Sequence, residues 1–435
     1  MPQLDPTLFT TARPGQWQTD GLHGPRPFTL IGARAFGDPI EVGSRLSAER
    51  YGLLNDGMSF EFIERFEYAQ MRPLVRRPPG DDEQSRAAFD AMLAADSSLQ
   101  IRLRAAEETL ATKRWVHDLR HWDEVARPWL MGRTLALTDV DPSTLDDGGL
   151  ETLLRSTVEQ LEVAMRQHHI LNPVSSIPQQ RFFGFSTQHA GAPLTEQLGL
   201  MQGASPVSIG DEPELRAVAA AVEASGIADS LLDPTGDPAN QVERLRSHDG
   251  AVGETMRDYL RLAGYRSIGG WEPMEPFALE QPLGIIATIR EAIAGDRPQV
   301  DPAFVTSIRD QVPAEHRDEW DELYTDARRF ARVKDERDIY CNIPAAGLVR
   351  RATLEVGRRL RAAGRIDDVE HATEGSLEEL TTLLRGESGV SAQDLADRHA
   401  YRFTYTIKDI PQSVGEPLDG PVPWKWLPEP WQRLA

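Results

Sequence analysis

The amino-acid sequence predicts a mainly α-helical protein, with one large helical domain and an irregular, partly extended N-terminal segment. Apolar residues recur at helical spacing through the middle of the chain, for example at Leu154, Val158, Leu161 and Met165. Gly, Pro and aromatic residues without such a period fill the first 80 positions. Prolines then recur at short intervals after position 410, which disfavours a regular helix at the C-terminal end.

These patterns divide the chain into three segments. Residues 1–80 are predicted to be a loop-rich wrapping segment, residues 81–410 a helical domain, and residues 411–435 a tail rich in Pro and Trp. A stretch rich in Gly, Pro and Gln follows Asn172-Pro173, and we expect it to be irregular. Within the domain, helices are expected at about 81–127, 150–170, 212–225, 251–263, 284–295, 301–311, 315–333, 344–363, 376–386 and 391–406.

The composition narrows the classes of function. Of the 435 residues, 40% are hydrophobic and 26% are charged, which suits a protein with a packed core. The formal net charge of −21 disfavours nucleic acids and anionic membranes as partners, because such a protein repels polyanions at long range. The single cysteine excludes an intrachain disulfide, and the sequence has neither a signal-peptide pattern nor an 18-residue apolar run. We therefore predict a cytoplasmic protein that binds no nucleic acid and no membrane.

Three stretches in the second half of the chain have a recognisable order. In residues 258–273 a helix ends in glycine and a polar turn leads to an acidic, proline-containing segment. A charged helical stretch follows at 330–361, and a third stretch lies at 364–380. In this order they resemble the helical substrate-binding domain of the phosphoenolpyruvate-utilising enzymes, the family of phosphoenolpyruvate synthase and rifampin phosphotransferase. Weaker similarity extends to residues 17–27 and 150–169.

The resemblance implies a phosphotransferase that works with two further domains. In this family an ATP-grasp domain binds ATP and a swivelling domain carries a phosphohistidine, and no stretch of this sequence resembles either. We therefore expect that the chain binds no cofactor directly. ATP and the phosphohistidine would belong to partner proteins in a multi-subunit enzyme, which would deliver phosphate to the hydroxyl group of a small apolar or aromatic substrate.

The strongest candidate cluster lies in the charged stretch. The resemblance implies two cations four residues apart on one helical face, where they would meet the phosphate, and the corresponding residues here are Lys334 and Asp338. Asp338 would repel phosphate, but Lys334 and Arg337 are three residues apart and are expected to share a face as catalytic residues. Asp335 is a candidate for substrate binding. The alternative is a solvated helix face with internal ion pairs.

Two adjacent histidines close the helix predicted at 150–170. An imidazole at this position could accept the proton of a substrate hydroxyl, because histidine titrates near neutral pH. We favour His169 over His168 as this catalytic base. A histidine in the last turn of a helix also complements the helix dipole, so a structural role stays open.

Two further sets of residues are candidates for substrate binding. Phe183, Phe185 and His189 could line an apolar pocket with one polar anchor, although such aromatic residues also build cores. His23 and Arg26 lie in a proline-flanked loop, within the stretch that resembles the start of the substrate domain. No metal site is predicted.

Three functions stay open from the sequence alone. The first is the substrate-binding component of a phosphotransferase, as the resemblance implies. The second is a stand-alone lyase, hydratase or isomerase that uses the helical pocket without phosphate, and Asp338 in place of a cation favours it. The third is a non-catalytic ligand-binding protein. Cys341 is expected to be a buried structural thiol, because no histidine lies near it in sequence.

Overall fold

The computed structural model describes residues 4–19, 21, 24–233, 235–295, 297–417 and 420–434, and it confirms the mainly α-helical fold. The helices are α1 Leu30–Tyr51, α2 Asp82–Ala95, α3 Ser97–Thr112, α4 Arg114–His121, α5 Arg127–Thr138, α6 Asp147–Ile170, α7 Asn172–Ala190, α8 Leu194–Leu200, α9 Pro213–Ser225, α10 Ala228–Leu231, α11 Pro238–Ser247, α12 Ala251–Ala263, α13 Pro282–Ala294, α14 Pro302–Arg309, α15 Arg317–Arg337, α16 Ile343–Ala362, α17 Leu377–Leu384, α18 Ala392–Thr404 and α19 Glu429–Leu434. Two π-helical turns, Trp122–Ala126 and Asp338–Asn342, join α4 to α5 and α15 to α16. Single 3₁₀ turns occupy Pro6–Leu8, Pro142–Thr144, Val207–Ile209, Ala278–Glu280, Ala314–His316, Val369–Glu374, Ile407–Asp409 and Trp424–Trp426.

The strands of the described residues form one small antiparallel sheet. They are β1 Trp17–Gln18, β2 Asn55–Ile63, β3 Phe66–Pro73 and β4 Ser413–Val414, in the spatial order β2-β3-β1-β4. The hairpin of β2 and β3 supplies most of the sheet. Because β1 and β4 pair with each other, the sheet joins the N-terminal segment to the C-terminal tail.

Helix α1 lies within the segment that the sequence predicts to be loop-rich, and packing explains this difference. The hydroxyl of Thr29 accepts the N–H of Gly32 and caps the first turn. The glycines of α1 and its internal Pro39 weaken its intrinsic helix propensity. At Gly43, however, the missing side chain lets α1 approach α6, where an added Cβ would lie 2.5 Å from the carbonyl oxygen of Arg166. Tertiary contact with α6 thus outweighs the weak local preference.

Helix α7 occupies the Gly-, Pro- and Gln-rich stretch that the sequence predicts to be irregular. As predicted, α6 ends at Ile170, but a second helix begins at Asn172. Pro173 lies in the first turn of α7, where the missing N–H costs no helical hydrogen bond, and Pro178 is accommodated further along. The aromatic residues at 182–185 therefore lie on a helix.

The helix predicted over 81–127 is divided into α2, α3 and α4. The side chain of Asp96 accepts the backbone N–H groups of Ser98 and Leu99 and starts α3. Lys113, in the left-handed region with φ 46°, then separates α3 from α4. The other helices predicted for residues 81–410 are present in the predicted order.

One hydrophobic cluster contains side chains from all three predicted segments. Phe28 belongs to the first segment, Trp122 and Val349 to the second, and Trp431 to the tail. The tail ends in the short helix α19, where the sequence predicts no helix, and Nε1 of Trp431 donates a 2.8 Å hydrogen bond to the carbonyl of Gly52. The three segments therefore share a core.

Candidate functional site

The C-terminal end of α6 meets the junction of α15 and α16 in the interior of the protein. The π-helical turn Asp338–Asn342 continues α15 directly into α16. Such turns widen the helix locally and are frequent at functional sites. The last turn of α6 brings His168 and His169 to this junction, where both are buried.

His168 and Asp338 form an imidazole–carboxylate arrangement that we call the His168–Asp338 pair. Oδ1 of Asp338 lies 3.4 Å from Nδ1 of His168. Two donors hold this carboxylate oxygen, namely Nε1 of Trp271 at 2.9 Å and Nδ2 of Asn342 at 3.0 Å. Because both donors belong to buried or half-buried side chains, the carboxylate is fixed beside the imidazole.

The amide of Asn342 selects the tautomer of neutral His168. Nδ2 of Asn342 lies 2.6 Å from Nδ1 of His168, and as a donor it requires the ring proton on Nε2. In this orientation the buried Oδ1 of Asn342 accepts no hydrogen bond from the described residues. A half-turn of the amide would let this oxygen accept a proton carried by Nδ1, and Nε2 would then be the basic nitrogen. The same turn would remove the hydrogen bond from Asn342 to Asp338 and leave Trp271 as the donor to this carboxylate oxygen.

Burial also controls the charge of Asp338. It raises the pKa of the Asp338 carboxyl group, whereas the neighbouring Arg337 guanidinium and the hydrogen bonds from Asn342 and Trp271 act in the opposite direction. The burial effect is the larger one. Asp338 can therefore hold a proton at a higher pH than an exposed aspartate does.

Lys334 and Arg337, which the sequence predicts to share a face as catalytic residues, differ in burial. Lys334 is exposed, whereas Arg337 is only 1% exposed, and burial lowers its pKa to about 10. The guanidinium donates to the carbonyl oxygens of Val333 and His168 and to Oδ1 of Asn172. A buried cation needs such acceptors, and they come from the helices packed around it. Arg337 thus joins α15 to α6 and α7.

Lys334 lies one helical turn before Asp338. Residues four apart on a helix are neighbours on one face, and the side chain of Asp338 is 22% exposed. Asp338 is therefore a helical neighbour of the exposed Lys334 and lies beside the buried His168. Asp335 is half-buried, and its backbone carbonyl accepts the N–H of Asp338.

Trp271 packs against both histidines. Its ring centroid lies 5.0 Å from that of His168, 6.3 Å from that of His169 and 5.6 Å from that of Phe36. His169, the base favoured from the sequence, also contacts α1, since a Cβ at Gly43 would lie 2.9 Å from the His169 Cβ. Because the Asp338 carboxylate faces His168, we transfer the candidate role of base from His169 to His168.

The aromatic residues predicted to line a pocket pack between α7 and α15. Phe183 and Phe185 border a hydrophobic cluster that includes the buried Phe182 and Trp320. The ring of His189 packs at a tilt against Phe185, with 4.3 Å between their centroids. These contacts assign the aromatic residues to the packing of α7 on α15.

Arg26 lines a charged cavity of 510 Å³ near the start of α1. Arg402 and Lys408 contribute further positive charge to its wall, and Glu272 contributes a buried carboxylate. The described residues that line this cavity include neither His168 nor Asp338. His23, which was predicted to act with Arg26, lies outside the described residues.

Sequence reasoning missed the partnership of His168 with Asp338 and Asn342. Asp338 and Asn342 are four residues apart and so lie on one helical face, which is a weak signal for a joint role. His168, however, is 174 residues from Asn342, and only the folded chain brings them together. Trp271 had a clearer signal, because it lies in the stretch 258–273 that carries the family resemblance.

The fold and the site together define a helical domain with a buried imidazole–carboxylate pair where α6 meets α15. Residues 199–342, about a third of the chain, match the family model described as the rifampicin phosphotransferase fourth domain. The match confirms the resemblance to the phosphoenolpyruvate-utilising enzymes for this helical region. It contains Trp271, Asp338 and Asn342, whereas His168 lies before it.

No curated protein matches the chain. Among the described helices, none has both the length and the apolar character that crossing a lipid bilayer requires.

Proposed function

We propose that the protein is the substrate-binding component of a phosphotransferase related to phosphoenolpyruvate synthase, acting on the hydroxyl group of a small, mainly apolar compound. The His168–Asp338 pair carries this proposal. It places a carboxylate 3.4 Å from an imidazole nitrogen, and Asp338 belongs to the region that matches a phosphotransferase domain. A base with a carboxylate partner is the group that activation of a hydroxyl requires.

His168 is the proposed general base. With its Nδ1 proton facing Asp338, Nε2 takes the proton of the substrate hydroxyl, and the carboxylate stabilises the resulting imidazolium. Trp271 holds the carboxylate in place during this step, while the turned amide of Asn342 accepts the Nδ1 proton. The substrate oxygen then forms a bond to phosphorus as the phosphorus–nitrogen bond of the donor breaks.

Lys334 is the proposed cation for the incoming phosphoryl group. A phosphohistidine on another domain or subunit would supply that group, as in the related enzymes. Lys334 is exposed and lies one turn before Asp338, so its ammonium group can act as a point charge on the solvent side of the pair. Arg337 takes no part in this step, because its guanidinium already donates to three oxygens of the protein.

One observation favours a second candidate function. Asp338 has a pKa raised by burial, and a carboxyl group that keeps its proton can act as an acid beside a basic imidazole. Such a pair suits a lyase, hydratase or isomerase that needs no phosphate. This alternative predicts turnover of a hydroxylated substrate by the purified chain alone.

Phosphoimidazole tests the proposal without a partner protein, because it contains the phosphorus–nitrogen bond of a phosphohistidine. The protein, phosphoimidazole and a panel of uncharged phenols and alcohols should yield a phosphate monoester, measured by ³¹P NMR. His168→Asn should lower the rate roughly 100-fold, as expected for loss of a general base. Lys334→Ala should lower the rate roughly 10-fold. Lys113→Ala is the control and should leave the rate unchanged, because Lys113 pairs with Glu322, about three turns of α15 before Lys334.

Besides a failure of phosphoimidazole to yield any ester, two results would overturn the phosphotransferase proposal. One is ester formation at the same rate in wild type and His168→Asn, since the imidazole would then have no role. The other is conversion of a panel compound without any phosphoryl donor, which would identify the acid–base alternative.

A further inference from the structure

A cleft of 940 Å³ lies between the sheet, α7 and the C-terminal tail. Met71 of β3 contributes to one wall and Ile177 of α7 to the second. Trp424, Leu427 and Trp431 of the tail form much of the third wall. This volume is at the upper end of the range for small-molecule sites. None of these residues was a candidate from the sequence, because the cleft exists only after both ends of the chain pack on α7.

The cleft has an uncharged lining. All of its described lining residues are apolar or neutral, although 26% of the residues in the chain are charged. A wall of average composition would therefore carry several charged side chains. An ion in this cleft would lose water without gaining an opposite charge, whereas a neutral molecule would lose little. The lining thus selects for uncharged ligands.

Five residues with side-chain amides line the cleft. Gln16 and Asn55 are two of them, and the other three, Gln18 of β1, Gln70 of β3 and Gln180 of α7, come from three different elements. A side-chain amide can both donate a hydrogen bond to a ligand and accept one from it. A few polar groups on an otherwise apolar wall are typical of sites that orient a small molecule.

Two large apolar side chains are exposed at this site. Met71 is 54% exposed and Trp424 is 50% exposed, and both line the cleft. A flexible thioether and a flat indole ring are well suited to contact a ring system. Their exposure is unfavourable in water unless a ligand covers them.

We propose that this cleft binds an uncharged, mainly apolar molecule with several rings, whose polar atoms meet the amides of Gln18, Gln70 and Gln180. The assignment of this cleft as the substrate site rests on the proposed function. Helix α7 connects the two regions, since Asn172 accepts a hydrogen bond from Arg337 and Ile177 lines the cleft. Five residues of helix span about 7.5 Å, so the cleft begins close to the anchor of the His168–Asp338 pair.

Nile red, a neutral dye that fluoresces in apolar sites, provides a direct test on the full chain. We expect saturable binding, at least fivefold weaker in Trp424→Ala because an apolar contact is lost. Gln180→Glu should weaken it similarly, because it places a charge in the neutral lining. Trp129→Ala is the matched control, since Trp129 is 46% exposed on α5 and lies outside the cleft. Its affinity should stay within twofold of wild type.

Three outcomes would overturn the cleft assignment. The first is equal dye binding by Trp424→Ala and Trp129→Ala. The second is equally tight competition by the anionic dye 1-anilinonaphthalene-8-sulfonate. The third is a dimer, seen by sedimentation, that Trp424→Ala dissociates, because the surface would then be covered by a second copy of the chain.

The cleft and the phosphotransferase proposal can fail separately. If the dye results hold but phosphoimidazole yields no ester, the cleft stands and the proposed function fails. If ester forms while Trp424→Ala and Gln180→Glu leave the KM for the substrate unchanged, the function stands and the cleft assignment fails.

Discussion

Arg337 donates a hydrogen bond to the backbone carbonyl of His168, and this contact fixes the end of α6 against the end of α15. The same guanidinium reaches Oδ1 of Asn172 in the first turn of α7. Three helices thus meet at one buried cation, directly behind the His168–Asp338 pair. The position of the imidazole relative to Asp338 depends on this anchor.

Replacing Arg337 with methionine should destabilise the protein. The substitution keeps an apolar stem but leaves the carbonyl of His168 and Oδ1 of Asn172 without their donor. We expect the free energy of unfolding to fall by about 2–4 kcal/mol. Urea denaturation followed by circular dichroism measures this change. Lys334→Ala, on the exposed side of α15, should change it by less than about 0.5 kcal/mol. Equal stability of the two variants would refute the anchor role.

Two glycines of α1 offer a matched test of the contact between α1 and α6. Gly43→Ala places a Cβ 2.5 Å from the carbonyl oxygen of Arg166, so the helices must separate and the melting temperature should fall by several degrees. Gly37→Ala meets only the ring of Phe62 at 3.7 Å, an ordinary contact. It should leave stability unchanged or raise it by up to about 1 kcal/mol through helix propensity. A melting temperature that falls equally in both variants would contradict close packing at Gly43.

Glu272 should make stability depend on pH. Burial raises its pKa above the ordinary value of 4.5, although Arg402 and the hydroxyl of Thr29 favour the ionised form. The contribution of Glu272 to the free energy of unfolding is therefore complete below about pH 4.5, and it is lost as the pH rises through the pKa of Glu272 in the folded protein. Glu272→Gln retains an oxygen acceptor for Thr29 but cannot ionise, so its stability should fall less than that of the wild type as the pH rises above 4.5.

Urea midpoints across this pH range measure the effect of Glu272. The control is Glu223→Gln, at an exposed position of α9, which should follow the wild-type curve. Parallel curves for wild type and Glu272→Gln would show that Glu272 ionises in the folded protein as it does in the unfolded chain.

A double-mutant cycle tests whether His168 and Asp338 act as a unit. In the phosphoimidazole assay, His168→Asn and Asp338→Asn should each lower kcat, and the double variant should be no slower than His168→Asn alone. The reason is that Asp338 acts through His168 and has no effect once the imidazole is gone. Independent, multiplicative losses would place Asp338 in a separate role. Urea midpoints of the variants would identify any loss that comes from unfolding.

Much of the helical architecture follows from local patterns in the sequence. The apolar period at Leu154, Val158 and Leu161 predicted α6, and its end near Ile170 was also predicted. Helix α1 was not predicted, because its glycines and Pro39 give a weak local signal that contact with α6 overrides. Local patterns therefore succeed where the periodicity is strong and fail where packing decides.

By itself, the sequence determined the mainly helical class and the relationship of residues 199–342 to a phosphotransferase domain. Only the tertiary structure decided that His168 meets the Asp338 carboxylate, since a one-residue step along α6 turns the side chain by about 100°. It also decided that Arg337 is an anchor and Lys334 the exposed cation. Helical spacing predicts which residues share a face, but whether that face is buried or exposed depends on the helices packed around it.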